Sequence, residues 1–162
     1  MPTPTYRALA NITLGSSASS VTFSSLPTSG YRDLVLVIKD LAVTGASGNV
    51  RIRFNGDTTD GNYSRVQMAG VSNGTKSGST ANGHFFYDLY DIQSQPTIVN
   101  IMDYSATDKH KSSLLRFSGI DSYIVASSHR WANTAAITSI AIVPNGFSFA
   151  AASTFALYGI AA

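Results

Sequence analysis

The stretch VRIRFNGDTTDGNYSRVQMAG, Val50 to Gly70, carries the clearest architectural signal in the chain. Its first five residues alternate strictly: Val50, Ile52 and Phe54 face one way, Arg51 and Arg53 the other. That is the pattern of a β-strand with one buried face. The turn signals NGD and DGN come next. Asn, Asp and Gly tolerate positive φ, so the run reads as a hairpin turn with YSRVQMAG as the returning strand. Its shape-determining residues are Asn55, Gly56, Asp57, Asn62 and Tyr63.

Two other readings of this stretch are weaker. A hard cation wants several oxygens at fixed spacing, which Asn55, Asp57 and Asp60 could supply. The EF-hand pattern, however, needs acids at alternate positions and a closing Glu. Thr59 interrupts the spacing, and the chain contains no Glu; all 9 of its acids are Asp. No metal and no cofactor is expected. Asp57 with Asp60, or Asp88 with Asp91, could form an acid–base pair only inside an apolar cleft. The sequence shows no such cleft, and Asp88 and Asp91 interleave with Tyr87 and Tyr90 as strand-edge acids.

Outward from this stretch, period 2 continues almost throughout. SVTFSSL places Val21 and Phe23 on one face, and Leu34 to Leu41 forms a continuous apolar run suited to a strand covered on both sides. TIVNIMDY, SLLRFSGI, SYIVAS, ITSIAIV and TFALYGI read as further strands, as does the aromatic-rich HFFYDLY. Turn signals separate them, and SNGTKSGSTANG, Ser72 to Gly83, reads as a polar surface loop. No segment sustains a helical period, and no linker or internal repeat is evident. The expected fold is all-β: a two-sheet antiparallel β-sandwich, jelly-roll-like, with about ten strands. Residues 1–162 are expected to form a single domain, with 1–10 as an extended N-terminal arm.

Composition agrees. The chain has 162 residues, 44% hydrophobic and only 12% charged, which excludes disorder. With no Glu and four Lys it lacks the residues that cover exposed helices. The net charge is +2, and no Lys/Arg cluster tracks phosphates, so no nucleic-acid partner is expected. KHK, Lys109 to Lys111, reads as a solvated loop. Cys is absent, so no disulfide or thiolate metal site exists. MPTPTYRALA has no apolar run of signal-peptide length. Residues 131–162 carry no charge, but VPNGF interrupts them, so two central strands with a turn replace the membrane-span reading. The uncharged tail also suits contacts with partner subunits, through Phe155, Leu157, Tyr158 and Ile160.

The remaining chemistry is thin. His84, His110 and His129 stand among many serines, but no G-x-S-x-G elbow occurs. No catalytic residue is assigned. Tyr87, Tyr90, Tyr123 and Trp131 could stack on sugars, with Asn62 or Asn133 bonding hydroxyls, although aromatic residues of β-proteins are mostly core. Three N-x-[ST] matches, at Asn11, Asn62 and Asn73, arise by chance in so Asn-, Ser- and Thr-rich a chain.

Several pieces in order carry a resemblance. ITLGSSASSVTFSSLP is followed by YRDLVLVI and RFNGDTTDGNYS, later by DYSATDKHKSSLLR and AITSIAI, and FALYGI stands near the end. This order resembles small virion-associated proteins of tailed bacteriophages, of the tail-fibre, tail-tip and capsid decoration kinds, over most of the chain from about Ala10 to Ile160. The spacing between Asp57 and Asn62 is slightly longer than in the family form NGDTGxNYS, which leaves the turn type open. The resemblance implies a non-enzymatic virion structural protein built on a β-sandwich, assembled in the cytoplasm of a bacterial host. The leading expectation is a capsid decoration, or cement, protein that binds the outer shell as a homo-oligomer, a trimer matching threefold points. The alternative is a tail-fibre or baseplate-tip protein that binds host-surface glycan. Its partners would be the major capsid protein or the tail proteins of the same virion.

Overall fold

The alternation read in the sequence becomes thirteen strands in the computed structural model, which describes residues 5–45, 49–70, 76–82, 96–118 and 124–162, with 76–82 as backbone. They are β1 (Tyr6–Thr13), β2 (Val21–Phe23), β3 (Tyr31–Lys39), β4 (Val43–Thr44), β5 (Val50–Phe54), β6 (Tyr63–Gly70) and β7 (Lys76–Asn82). Next come β8 (Thr97–Met102), β9 (Lys111–Ser118), β10 (Ile124–Trp131), β11 (Ile140–Pro144), β12 (Ser148–Phe149) and β13 (Thr154–Ala161). The helical content among the described residues is one 3-10 turn, Asp60–Asn62.

All pairings are antiparallel. One sheet has eight strands in the order β1-β13-β3-β8-β9-β10-β6-β7. A three-stranded sheet, β2-β11-β5, and a two-stranded ribbon, β12-β4, complete the set. The apolar faces meet in one core. Val21, Phe23, Ile52, Phe54, Ile140 and Ile142 come from the small sheet, and Leu34, Leu36, Val99, Leu115, Phe155 and Leu157 from the large one. This is a two-sheet antiparallel β-sandwich.

Several pairings join an early strand to a late one, although the β4–β12 ribbon crosses β2–β11 and β3–β8. β1 pairs with β13, β2 with β11 and β3 with β8. Early strands thus meet late strands, as in a long hairpin wrapped over itself, which is the jelly-roll pattern. The chain changes sheet after β5. β5 pairs with β11, whereas β6 pairs with β10 and β7 in the other sheet. The expected hairpin between VRIRF and YSRVQMAG therefore does not form. The segment between them is a corner that carries the chain from one sheet to the other. Turn chemistry fixes a reversal of direction, but the partner of each strand is chosen by contacts distant in sequence.

Three further expectations are corrected. Residues 6–10 of the expected arm belong to β1, an edge strand on β13. SNGTKSGSTANG is not all loop, because residues 76–82 of it form β7 on the edge of the large sheet. β10 continues past SYIVAS to Trp131, so HRW is strand and its tryptophan faces inward. HFFYDLY lies outside the described residues.

The C-terminal residues owe their lack of charge to burial within this fold. β11 runs between β2 and β5, and β13 between β1 and β3. On β13, Gly159 lies under the ring of Tyr31; a Cβ there would come within 2.4 Å of Tyr31 Cδ1. Gly159→Ala is therefore expected to destabilise the fold by about 1–3 kcal/mol through overpacking. An unchanged melting temperature would show that the ring yields freely.

Candidate functional site

The corner between β5 and β6 concentrates more side-chain hydrogen bonds than any other stretch described. It begins as an Asn-Gly turn: Asn55 has φ 52° and Gly56 φ 69°, and Asp57 N donates to Phe54 O at 2.9 Å. Two central residues at positive φ are the mark of a type I′ turn. Asp57 then organises the remainder of the corner. Its Oδ1 accepts from Thr59 N at 2.9 Å, and its Oδ2 accepts from Asn62 Nδ2 at 2.8 Å and from Trp131 Nε1 at 2.7 Å. Tyr63 closes the loop, donating its hydroxyl to Asp57 O at 3.0 Å while accepting from Phe54 N at 3.2 Å.

Asn55 does the same work toward β11. Its Oδ1 accepts from Thr138 N at 2.8 Å and Ser139 N at 3.2 Å, and its Nδ2 donates to Ala136 O at 2.8 Å. Arg53 spans the corner, donating to Asp60 Oδ1 at 2.6 Å with its guanidinium 5.1 Å from the centre of the Tyr63 ring. Beneath lies an aromatic trio. Trp131 stacks on Tyr63 with centroids 6.5 Å apart and meets Phe54 at 5.5 Å.

The electrostatics arise from this geometry. Desolvation pushes the Asp57 carboxyl up, but the bonds from Trp131, Asn62 and Thr59 outweigh it, so the group lies below its usual range. Asp57 is therefore a fixed anion. Burial pushes the Tyr63 phenol up, which keeps its proton available for Asp57 O. The oxygens a cation would need on Asp57 and Asn55 are already taken by donors of this chain. The carboxylates of Asp57 and Asp60 are likewise engaged. The arrangement fixes shape.

The sugar-stacking candidates fare differently. Trp131 is 1% exposed, with its indole nitrogen bonded to Asp57, so it offers no face to a ligand. As a sugar-stacking residue Trp131 is ruled out, because β10 carries it into the core. The Asn62 amide is engaged by Asp57, and Asn133 Oδ1 accepts from Ala135 N. Tyr87, Tyr90 and Tyr123 lie outside the described residues, as do Asp88, Asp91, His84 and Asn73. Asn11 stands exposed on β1.

The contact candidates divide. Phe155 and Leu157 are fully buried on the core face of β13 and cannot touch a partner. Tyr158 and Ile160 point the opposite way and are half-buried. Phe155→Ser would unfold the chain before it reported on any interface.

A polar strip runs through the inner face of β9 and β10. Lys111, expected in a solvated loop, is buried, and its ammonium donates to Lys109 O at 2.9 Å and Thr134 O at 3.0 Å. Desolvation lowers its pKa. Ser127 Oγ lies 2.9 Å from His129 Nε2, both residues at most 3% exposed. Burial first, and the charge of Arg65 second, lower the His129 pKa to about 3, so the ring is neutral. A serine–histidine pair sealed in this way has no route for a substrate.

The opposite face of the large sheet escaped the sequence reading. Val66 is 57% exposed, Met68 67%, Leu114 48% and Ile124 65%. The doublet Leu114–Leu115 carried the signal, since adjacent strand residues face opposite ways and one leucine must point outward.

Among the described residues no group of three or more His, Cys, Asp or Glu could hold a metal ion, and no helix is long and apolar enough to cross a membrane. No protein-family model matches the chain, and none of the curated proteins matches it.

Proposed function

We propose that this chain is a non-enzymatic structural protein of a bacteriophage virion, a capsid decoration protein that sits on the outer shell as a homo-oligomer. The observation that carries the reading is the exposed apolar outer face of the eight-stranded sheet, with Val66, Met68 and Leu114 in the open. Several large apolar side chains exposed on one sheet face mark protein–protein contact. The resemblance of the RFNGD…NYS order to virion proteins supports the same reading, and the corner built from those residues serves shape. A decoration protein adds buried area across capsomer junctions and so stabilises a shell by mass action.

The second reading, a tail-fibre or baseplate-tip protein that grips host glycan, rests on the same resemblance. Burial of Trp131 removes its best-placed described aromatic residue.

Copy number tests the proposal. Virions of the phage encoding this chain are purified, and the chain is quantified against the major capsid protein by mass spectrometry. An abundance comparable to the capsid protein is expected. A small multiple of the tail symmetry would favour the tail reading, and absence from the particle would remove both.

A further inference from the structure

An antiparallel sheet with one wet face ordinarily shows apolar residues inward and polar residues outward. The large sheet breaks this rule on β8, β9, β10 and β6. Its register puts Asn100 opposite Leu114, Leu114 opposite Ser128, and Ser128 opposite Val66. On the next row Ile98 faces Arg116, Arg116 faces Ala126, and Ala126 faces Met68. One arginine therefore stands among apolar side chains on three sides: Ile98 and Ala126 across the strands, and Leu114 along β9. Arg130 stands on the same face of β10, two rows away between Ser112 and Ser64.

The charges on this sheet are one-sided. Its eight strands contain a single acid, Asp33. That carboxylate lies on β3, where it accepts from Arg32 Nε at 3.0 Å and Asp103 N at 2.8 Å. Neither Arg116 nor Arg130 has an ion-pair partner among the described residues. Two copies packed face to face would bring these cations together with no counter-charge on the facing described strands, which is unfavourable. A face that mixes exposed Leu114, Val66, Met68 and Ile124 with an arginine has the composition of an interface hot spot.

We infer that the outer face of β8, β9, β10 and β6 docks a different protein, whose matching surface is apolar and places carboxylates opposite Arg116 and Arg130. The inference rests on the virion reading in one respect: that partner is then the shell subunit. The decoration protein would lie with its large sheet flat on the shell.

The test uses particles purified from a phage stock lacking this chain, to which purified protein is added and bound copies are counted. Wild-type protein is expected to bind saturably and more weakly as salt rises. Arg116→Glu, and separately Arg130→Glu and Met68→Asp, are expected to weaken binding by about tenfold or more. Arg116→Lys should retain most of it. All four substitutions point outward, so their melting temperatures should stay near wild type; Arg130→Glu serves if Arg116→Glu does not fold. Folded charge-reversal variants that bind as wild type does would overturn the inference and leave the virion reading standing. Wild-type protein that fails to bind the particles would overturn both. Conversion of an oligomer to monomers by Met68→Asp, read by sedimentation, would show a second copy on this face and overturn the inference alone.

Discussion

Asp57→Ala is expected to destabilise the protein by about 3–5 kcal/mol, a large share of the roughly 5–15 kcal/mol that holds an ordinary domain together. The carboxylate accepts from Thr59 N, Asn62 Nδ2 and Trp131 Nε1. A hydrogen bond to a charged group contributes roughly 1.5–3 kcal/mol, and a buried donor left without its acceptor costs about 1–3 kcal/mol. The Trp131 indole nitrogen would be such a donor. Losses within one network do not add fully, which sets the range below the plain sum. For a chain of this size the melting temperature should fall by roughly 6–20 °C. A double-mutant cycle isolates the long-range contact. Asp57→Asn and Trp131→Phe each weaken it, and a coupling of about 1 kcal/mol or more is expected between them. Additive effects would mean that the indole bond contributes nothing to the corner.

The second large effect is a loss of stability in mild acid. His129 is 2% exposed, and its pKa falls from 6.5 to about 3 on folding. The group whose charge opposes protonation is Arg65, its cross-strand partner on β6. Below pH 6.5 the unfolded chain takes up a proton that the folded chain refuses. The folded state is thus favoured fully above pH 6.5, and that advantage declines as pH falls toward 3. At about 1.4 kcal/mol per unit, the loss between pH 7 and pH 4.5 should approach 3 kcal/mol. Asp57, held below its usual range, stays ionised in this window and does not confuse the reading. Denaturant unfolding at a series of pH values checks it. His129→Gln should flatten the slope between pH 6.5 and 4.5. A variant that keeps the wild-type slope would place the acid sensitivity elsewhere.

Much of the architecture is written locally. Alternation in Val50–Phe54 states that Val50, Ile52 and Phe54 enter the core, because successive strand residues point to opposite faces. The absence of Glu and the scatter of Gly, Asn and Pro state that the connections are turns. The uncharged C-terminal stretch states that its strands are central, and β11 and β13 are. The importance of Asn55 and Gly56 is legible too, since few other residues accept positive φ so readily.

What the corner connects is not legible. The same NGD and DGN signals would serve a hairpin, and only the pairing of β6 with β10 and β7 sends the chain into the other sheet. The partner of Asp57, Trp131, lies 74 residues away. No local rule links an acid in a turn to an indole at the end of a distant strand. The fates of Phe155 and Tyr158 show the same boundary. Both sit in one apolar run, and the pleat alone sends the first into the core and the second to the outside. Residue order alone specifies an all-β sandwich with turns at the right places, because side-chain alternation and backbone preference act over a few residues. Tertiary contacts set the sheet to which each strand belongs, the knot that Asp57 ties and the apolar face left uncovered, because those depend on which distant segments meet.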